Sequence, residues 1–113
     1  MSVAQAAVVQ VTIANGASLS GAAAIGSGTV VGLDLPVLTS AALSFQASAD
    51  GVTYREVFNS DGTTATSVAA STGDRLVAAP AALAGAAFLK VRSGTSGAPV
   101  AQGADRVVNL VVK

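Results

Sequence analysis

Few residues in this 113-residue chain can do chemistry: five Asp, one Glu, six Lys or Arg, one Tyr and scattered Ser and Thr, with no Cys and no His. Such a set excludes thiol nucleophiles, disulfide frameworks, Cys/His zinc sites and histidine general bases. Two carboxylates stand at turn signals, Asp50-Gly51 and Asp61-Gly62. Asp at a turn accepts hydrogen bonds from its own following backbone, so turn structure is the favoured reading over metal binding. Calcium would need several clustered oxygen ligands, and the Asp-rich loop that supplies them is missing from the sequence. Glu56 with Asp50 or Asp61 could be drawn as a glycosidase pair, but no aromatic sugar platform accompanies them, and solvated strand and turn charges are the better reading.

The Gly-rich runs Gly26-Ser27-Gly28 and Ser93-Gly94-Thr95-Ser96-Gly97 lack the following helix and the Gly-Lys-Ser/Thr that cradle phosphate. Ser93 and Ser96 have no partnering base. The sequence therefore nominates no catalytic, cofactor-binding or metal-ligating residue, and no cofactor. Its candidate functional residues are interface residues. Lys90 and Arg92 alternate on one segment and Arg106 opens the last. They make either a basic strip for an acidic partner patch or an outward polar face, with edge lysine also blocking unwanted strand pairing. Near the N-terminus, Val9, Val11 and Ile13 alternate with Gln10 and Thr12. Residues 1–14 are expected to pack as a strand of this domain or to reach out as an arm that adds a strand to a neighbouring subunit.

Six basic and six acidic residues give zero formal net charge, which argues against a polyanion-binding surface and hence against nucleic acid as a partner. No window approaches 18 uninterrupted apolar residues, so no membrane-spanning helix is expected. The first residues carry no Lys or Arg, and Gln10 and Thr12 interrupt the apolar run, so no export signal is expected either. Hydrophobic residues make up 51% of the chain, but mostly as 25 Ala and 17 Val, with four aromatics: Phe45, Tyr54, Phe58 and Phe88. Each fully buried Val or Leu contributes about 1.5–3 kcal/mol and Ala much less. The core of a free monomer is thus expected to be thin, with part of its apolar surface covered by other subunits.

The length admits one domain, residues 1–113. Ala favours helix, yet 12 Gly and many Ser, Thr, Asn and Asp divide the chain into pieces too short for long helices. Period-two alternation predicts strands instead. The expected strands are residues 9–13, Val30–Leu35 (with Val31, Leu33 and Leu35 on one face and Pro36 as its end), 43–48, 53–58, 63–70, 76–78, 88–92 and Arg106–Val112. Residues 18–29 read as either a loop or a weak edge strand. Pro80-Ala81-Ala82-Leu83-Ala84-Gly85 reads as one helical turn. About seven or eight short strands with one helical turn predict an all-β fold, a single antiparallel β-sandwich.

The run Ser48-Ala49-Asp50-Gly51-Val52-Thr53-Tyr54, following Leu43-Ser44-Phe45, resembles a hairpin common in discoidin-like and related jelly-roll modules. Three further stretches extend the likeness: Val11-Thr12-Ile13-Ala14-Asn15-Gly16, Phe88-Leu89-Lys90-Val91-Arg92-Ser93-Gly94-Thr95, and Pro99 through Arg106. Together with the hairpin they look like small structural proteins of tailed bacteriophages. That resemblance implies a jelly-roll type of sandwich and a non-enzymatic structural component of a virion, assembled in the host cytoplasm. The implied role is a capsid decoration or cement protein stabilising the major capsid lattice, with the major capsid protein or other virion proteins as partners, and with homo-oligomer or lattice contacts. A head–tail connector or tail component, or a binding module for host-surface glycan, is the alternative. The glycan reading is weakened by the absence of Trp and by a single Tyr54 inside a predicted strand.

Overall fold

The computed structural model describes residues 7–39, 42–69 and 74–113. Among these residues nine strands follow in chain order: β1 (Ala7–Ile13), β2 (Ala23–Ala24), β3 (Val30–Leu35), β4 (Ala42–Ser48), β5 (Arg55–Glu56), β6 (Val68–Ala69), β7 (Arg75–Ala78), β8 (Phe88–Ser93) and β9 (Arg106–Val112). A 3-10 turn over Ala81–Gly85 lies between β7 and β8, with Pro80 just before it and Leu83 as its buried anchor. The chain is all-β, and both of its sheets are antiparallel.

One sheet has the order β1-β9-β3-β7; the other has β2-β8-β4-β5, with β6 also pairing β4. Strands adjacent in sequence seldom pair. The pairs nest instead: β1 with β9, β2 with β8, β3 with β7, β4 with β5. The long-range ladders β1–β9 and β4–β8 run seven and six residues in unbroken register.

Alternation explains which side chains meet. Val11 and Ile13 of β1, Val108, Leu110 and Val112 of β9, and Leu33 and Leu35 of β3 face inward from the first sheet. Phe45 of β4 and Leu89 and Val91 of β8 face them from the second, and all belong to one buried cluster. Phe45 is the single aromatic at its centre, so most of the core is Val and Leu.

The expected strands are found at β1, β3, β4, β7, β8 and β9, with corrections elsewhere. Residues 18–29, open between loop and edge strand, contain both: Leu19 bridges Arg92, and β2 pairs β8. The expected 53–58 strand shrinks to Arg55–Glu56, because the backbone after Ser48 turns around the Asp50 side chain and rejoins β4 only at Arg55. Of the expected 63–70 strand, Val68–Ala69 pairs β4 and Ala65 makes a single antiparallel bridge to Phe58, while residue 70 lies outside the described residues. The face assignment in β3 also changes: a register shift between Val30 and Gly32 turns Val31 outward while Leu33 and Leu35 stay buried.

Candidate functional site

The polar groups nominated by sequence are largely engaged within the chain. Asp50 Oδ1 accepts from the backbone N–H of Val52 at 2.8 Å and of Thr53 at 3.0 Å, and from the Ser48 hydroxyl at 2.9 Å. These donors, Thr53 first, hold its carboxyl at a pKa of about 2 against an ordinary 3.8. Asp61 accepts from the Thr64 hydroxyl at 2.6 Å and from the N–H groups of Thr64 and Thr63 at 2.8 Å each, and its pKa is likewise lowered to about 2. Both are ionised turn supports with their lone pairs turned to the backbone. Among the described residues no three acidic side chains gather where they could hold a metal ion.

The three cations do not form a strip. Lys90 lies with its ammonium 4.2 Å from the centre of the Tyr54 ring. Arg92, only 6% exposed, donates from Nη2 to the Glu56 carboxylate and from Nε to Ser44 Oγ at 2.9 Å, and Ser44 in turn donates to the Gly94 carbonyl at 2.8 Å. Arg106 belongs to the other sheet, where Nε donates to Gln102 Oε1 at 3.1 Å and Nη2 to Thr39 Oγ1 at 3.2 Å. Nor does Lys90 guard an edge, because β8 lies between β2 and β4. The sequence placed two of these cations on one strand correctly, but their partners come from distant segments that alternation does not reveal.

The aliphatic candidates are divided as well. Val11 and Ile13 are buried in the chain's own core, so their side chains are not offered to a neighbour; Val9 is half-buried at its margin. Residues 7–13 pair with β9 of the same chain, while residues 1–6 lie outside the described residues.

The residues that do face outward from the β1-β9-β3-β7 sheet escaped the sequence reading. Register places Val8 beside Val111, which is beside Gly32, which is beside Ala78; the next outward row is Gln10, Asn109, Asp34 and Leu76; then come Thr12 and Val107. Leu76 is 68% exposed, Val8 60% and Val107 41%. A shallow groove crosses this face between Val111, Val31 and Leu76. The polar row through it is short of one partner. Asn109 Nδ2 donates to Asp34 Oδ2 at 3.3 Å, while the buried Asn109 Oδ1 accepts nothing. Val107 and Val111 gave the available signal: in a strand with one buried face they occupy the positions where polar residues are the norm.

The opposite outer face differs in kind. It carries Ser44, Gln46, Ser48, Lys90 and Arg92, a polar array with Phe88 at its end. The two sheets thus present one polar face, whose cations are engaged within the chain, and one face on which exposed Val and Leu side chains flank a polar row. Among the described residues no helix is long and apolar enough to cross a membrane. No protein-family model matches this chain, and no curated protein and no solved structure matches it.

Proposed function

We propose that this protein is a non-enzymatic structural subunit of a tailed-phage virion, acting as a capsid decoration or cement protein on the major capsid lattice. The observation that carries the reading is the outward face of the β1-β9-β3-β7 sheet, where exposed Val8, Val31 and Leu76 adjoin the half-buried Val111 on one side of the Gln10–Asn109–Asp34 row, and exposed Val107 lies on the other. Contiguous exposed apolar surface on a small domain marks a protein-contact site. With 11% charged residues and no net charge, the domain meets a protein lattice without a large electrostatic desolvation cost. Binding the assembled shell and not its loose subunits stabilises the shell by mass action.

A jelly-roll architecture belongs to the same proposal. The nested pairs β1–β9, β2–β8, β3–β7 and β4–β5 support it, since they are the pairs of one long hairpin rolled over so that its successive strands alternate between two sheets. The resemblance of the Ser48–Tyr54 turn and of the β8 segment to phage structural modules supports the particle setting.

Quantitative mass spectrometry of purified source particles tests the role through copies of this chain per major capsid protein. A lattice-sized ratio is expected. A few to a few dozen copies per particle would move the protein to the neck or tail, and absence from particles would overturn the structural reading in favour of surface recognition.

A further inference from the structure

The four-stranded sheet ends at β1, and among the described residues nothing pairs with that edge. Natural edges are blunted by charge, proline, bulges or brevity. Ala7-Val8-Val9-Gln10-Val11-Thr12-Ile13 has none of these: it is uncharged, proline-free, in continuous register with β9, and seven residues long. The other sheet edges are short or charged. β7 has four residues and begins at Arg75, β5 is Arg55–Glu56, and β2 has two residues.

The ladder shows which groups are free. Lys113 and Thr29 exchange both backbone hydrogen bonds, at 2.9 and 2.8 Å, so Lys113 faces β3. Antiparallel strands alternate, so Val112, Leu110, Val108 and Arg106 face β1 and bond Ala7, Val9, Val11 and Ile13. The N–H and C=O groups of Val8, Gln10 and Thr12 therefore point off the edge, and among the described residues no backbone partner meets them.

We propose that two copies of this chain pair β1 to β1 about a two-fold axis at Gln10, joining their four-stranded sheets into one of eight strands. Antiparallel pairing about that axis sets Val8 opposite Thr12 of the second copy, Gln10 opposite its own symmetry mate, and Thr12 opposite Val8. Each of these three pairs exchanges two hydrogen bonds, and all six free groups on each copy are matched. On the inner side, the half-buried Val9 comes to stand beside β1 of the second copy, so the joint covers the part of Val9 left open at the margin of the core, while Val11 is already buried within each copy. On the outer side, the polar row becomes continuous: Asp34, Asn109 and Gln10, then the same three residues in reverse. Gln10 is Asn109's register neighbour, and ordering its exposed amide at the axis gives the unpaired Asn109 Oδ1 a donor. A second copy is the occupant that fits this edge, because the edge brings no charge to repel its own image and its free groups match themselves residue for residue. The pairing goes beyond the particle role and does not depend on it.

The test is the mass of the full-length chain in solution, by sedimentation equilibrium from about 1 μM to about 1 mM. A species of twice 10.8 kDa is expected to dominate at the upper end. Val8→Lys combined with Thr12→Lys sets lysine against lysine on both sides of the axis and is expected to raise the dissociation constant by about tenfold or more. Val8→Lys with Thr12→Glu sets opposite charges in the same places and is expected to restore the dimer. Gln10→Pro serves as a second variant. It removes an N–H that points off the edge and leaves every β1–β9 bond, so it is expected to give a folded monomer. A wild-type chain that stays monomeric throughout, or a dimer that survives both the double lysine and the proline variants, would overturn the proposal. Loss of the dimer in the Lys/Glu variant would overturn the Gln10-centred register.

Discussion

Arg92 and Glu56, 36 residues apart in sequence, form an ion pair across the outer side of the β2-β8-β4-β5 sheet, with the guanidinium buried and also bound to Ser44 Oγ. The pair ties the two-residue strand β5 to the central part of its sheet. A buried guanidinium left without its carboxylate keeps its desolvation cost and loses its compensation. Glu56→Ala is therefore expected to destabilise the fold by about 2–3 kcal/mol, somewhat less than a fully buried pair, because Glu56 retains contact with water. Replacing both residues, with Arg92→Met and Glu56→Leu, is expected to cost less than Glu56→Ala alone. Urea denaturation of the three variants checks the order.

Asp50 and Asp61 set a pH dependence whose sign follows from their lowered pKa values. Both carboxyls titrate at about 2 in the folded chain and near 3.8 when unfolded. The unfolded state thus takes up protons first, so their contribution is complete above about pH 4 and is lost as the pH falls through 2. Thermal unfolding is expected to show a melting temperature that these groups leave flat above about pH 5 and lower progressively between about pH 4 and 2. The variant carrying Asp50→Ala and Asp61→Ala is expected to melt lower at neutral pH and to show a shallower acid decline. Titration of the carboxyl carbons by NMR gives the two midpoints directly.

Gly94 ends β8 at φ +86, and a Cβ there would lie 2.4 Å from the Ala98 carbonyl oxygen and 2.9 Å from the Val100 nitrogen. These are backbone atoms of the loop closed by Ser93 and Val100, whose mutual hydrogen bonds leave them little room to move. Gly94→Ala is expected to cost about 3 kcal/mol or more, combining left-handed strain with the clash. Gly62, at φ +72 with open space around it, isolates the strain alone, and Gly62→Ala is expected to cost about 1 kcal/mol. Chemical denaturation of both variants separates the two contributions.

Leu76 and Val107 stand exposed on the apolar outer face and contribute little to the fold that supports them. Leu76→Gln with Val107→Lys is expected to change folding stability by less than about 1 kcal/mol, as surface substitutions do. If the proposed capsid role holds, wild-type protein co-sediments with purified shells and the same variant loses that binding. Retained binding would place the lattice contact on another face.

Alternation along the sequence was enough to predict β3, β4, β8 and β9, and the glycine-rich punctuation was enough to exclude long helices despite 25 Ala. Those are local properties: a two-residue period and a turn residue act within a few positions of themselves. The absence of Cys and His likewise removed whole classes of chemistry without reference to any fold. Which strands become neighbours depends on contacts between distant segments. Only the tertiary structure paired β1 with β9, placed β8 at the centre of a sheet, and carried Glu56 to Arg92. The inward set Val9, Val11 and Ile13 was legible as a stripe, but a stripe does not say whether its own chain or a neighbour covers it. The second sheet settled that for Val11 and Ile13 by burying them. Among the described residues nothing covers the other side of the first sheet, and that decided where Val8, Leu76 and Val107 would be exposed and which strand would end the sheet without a backbone partner there.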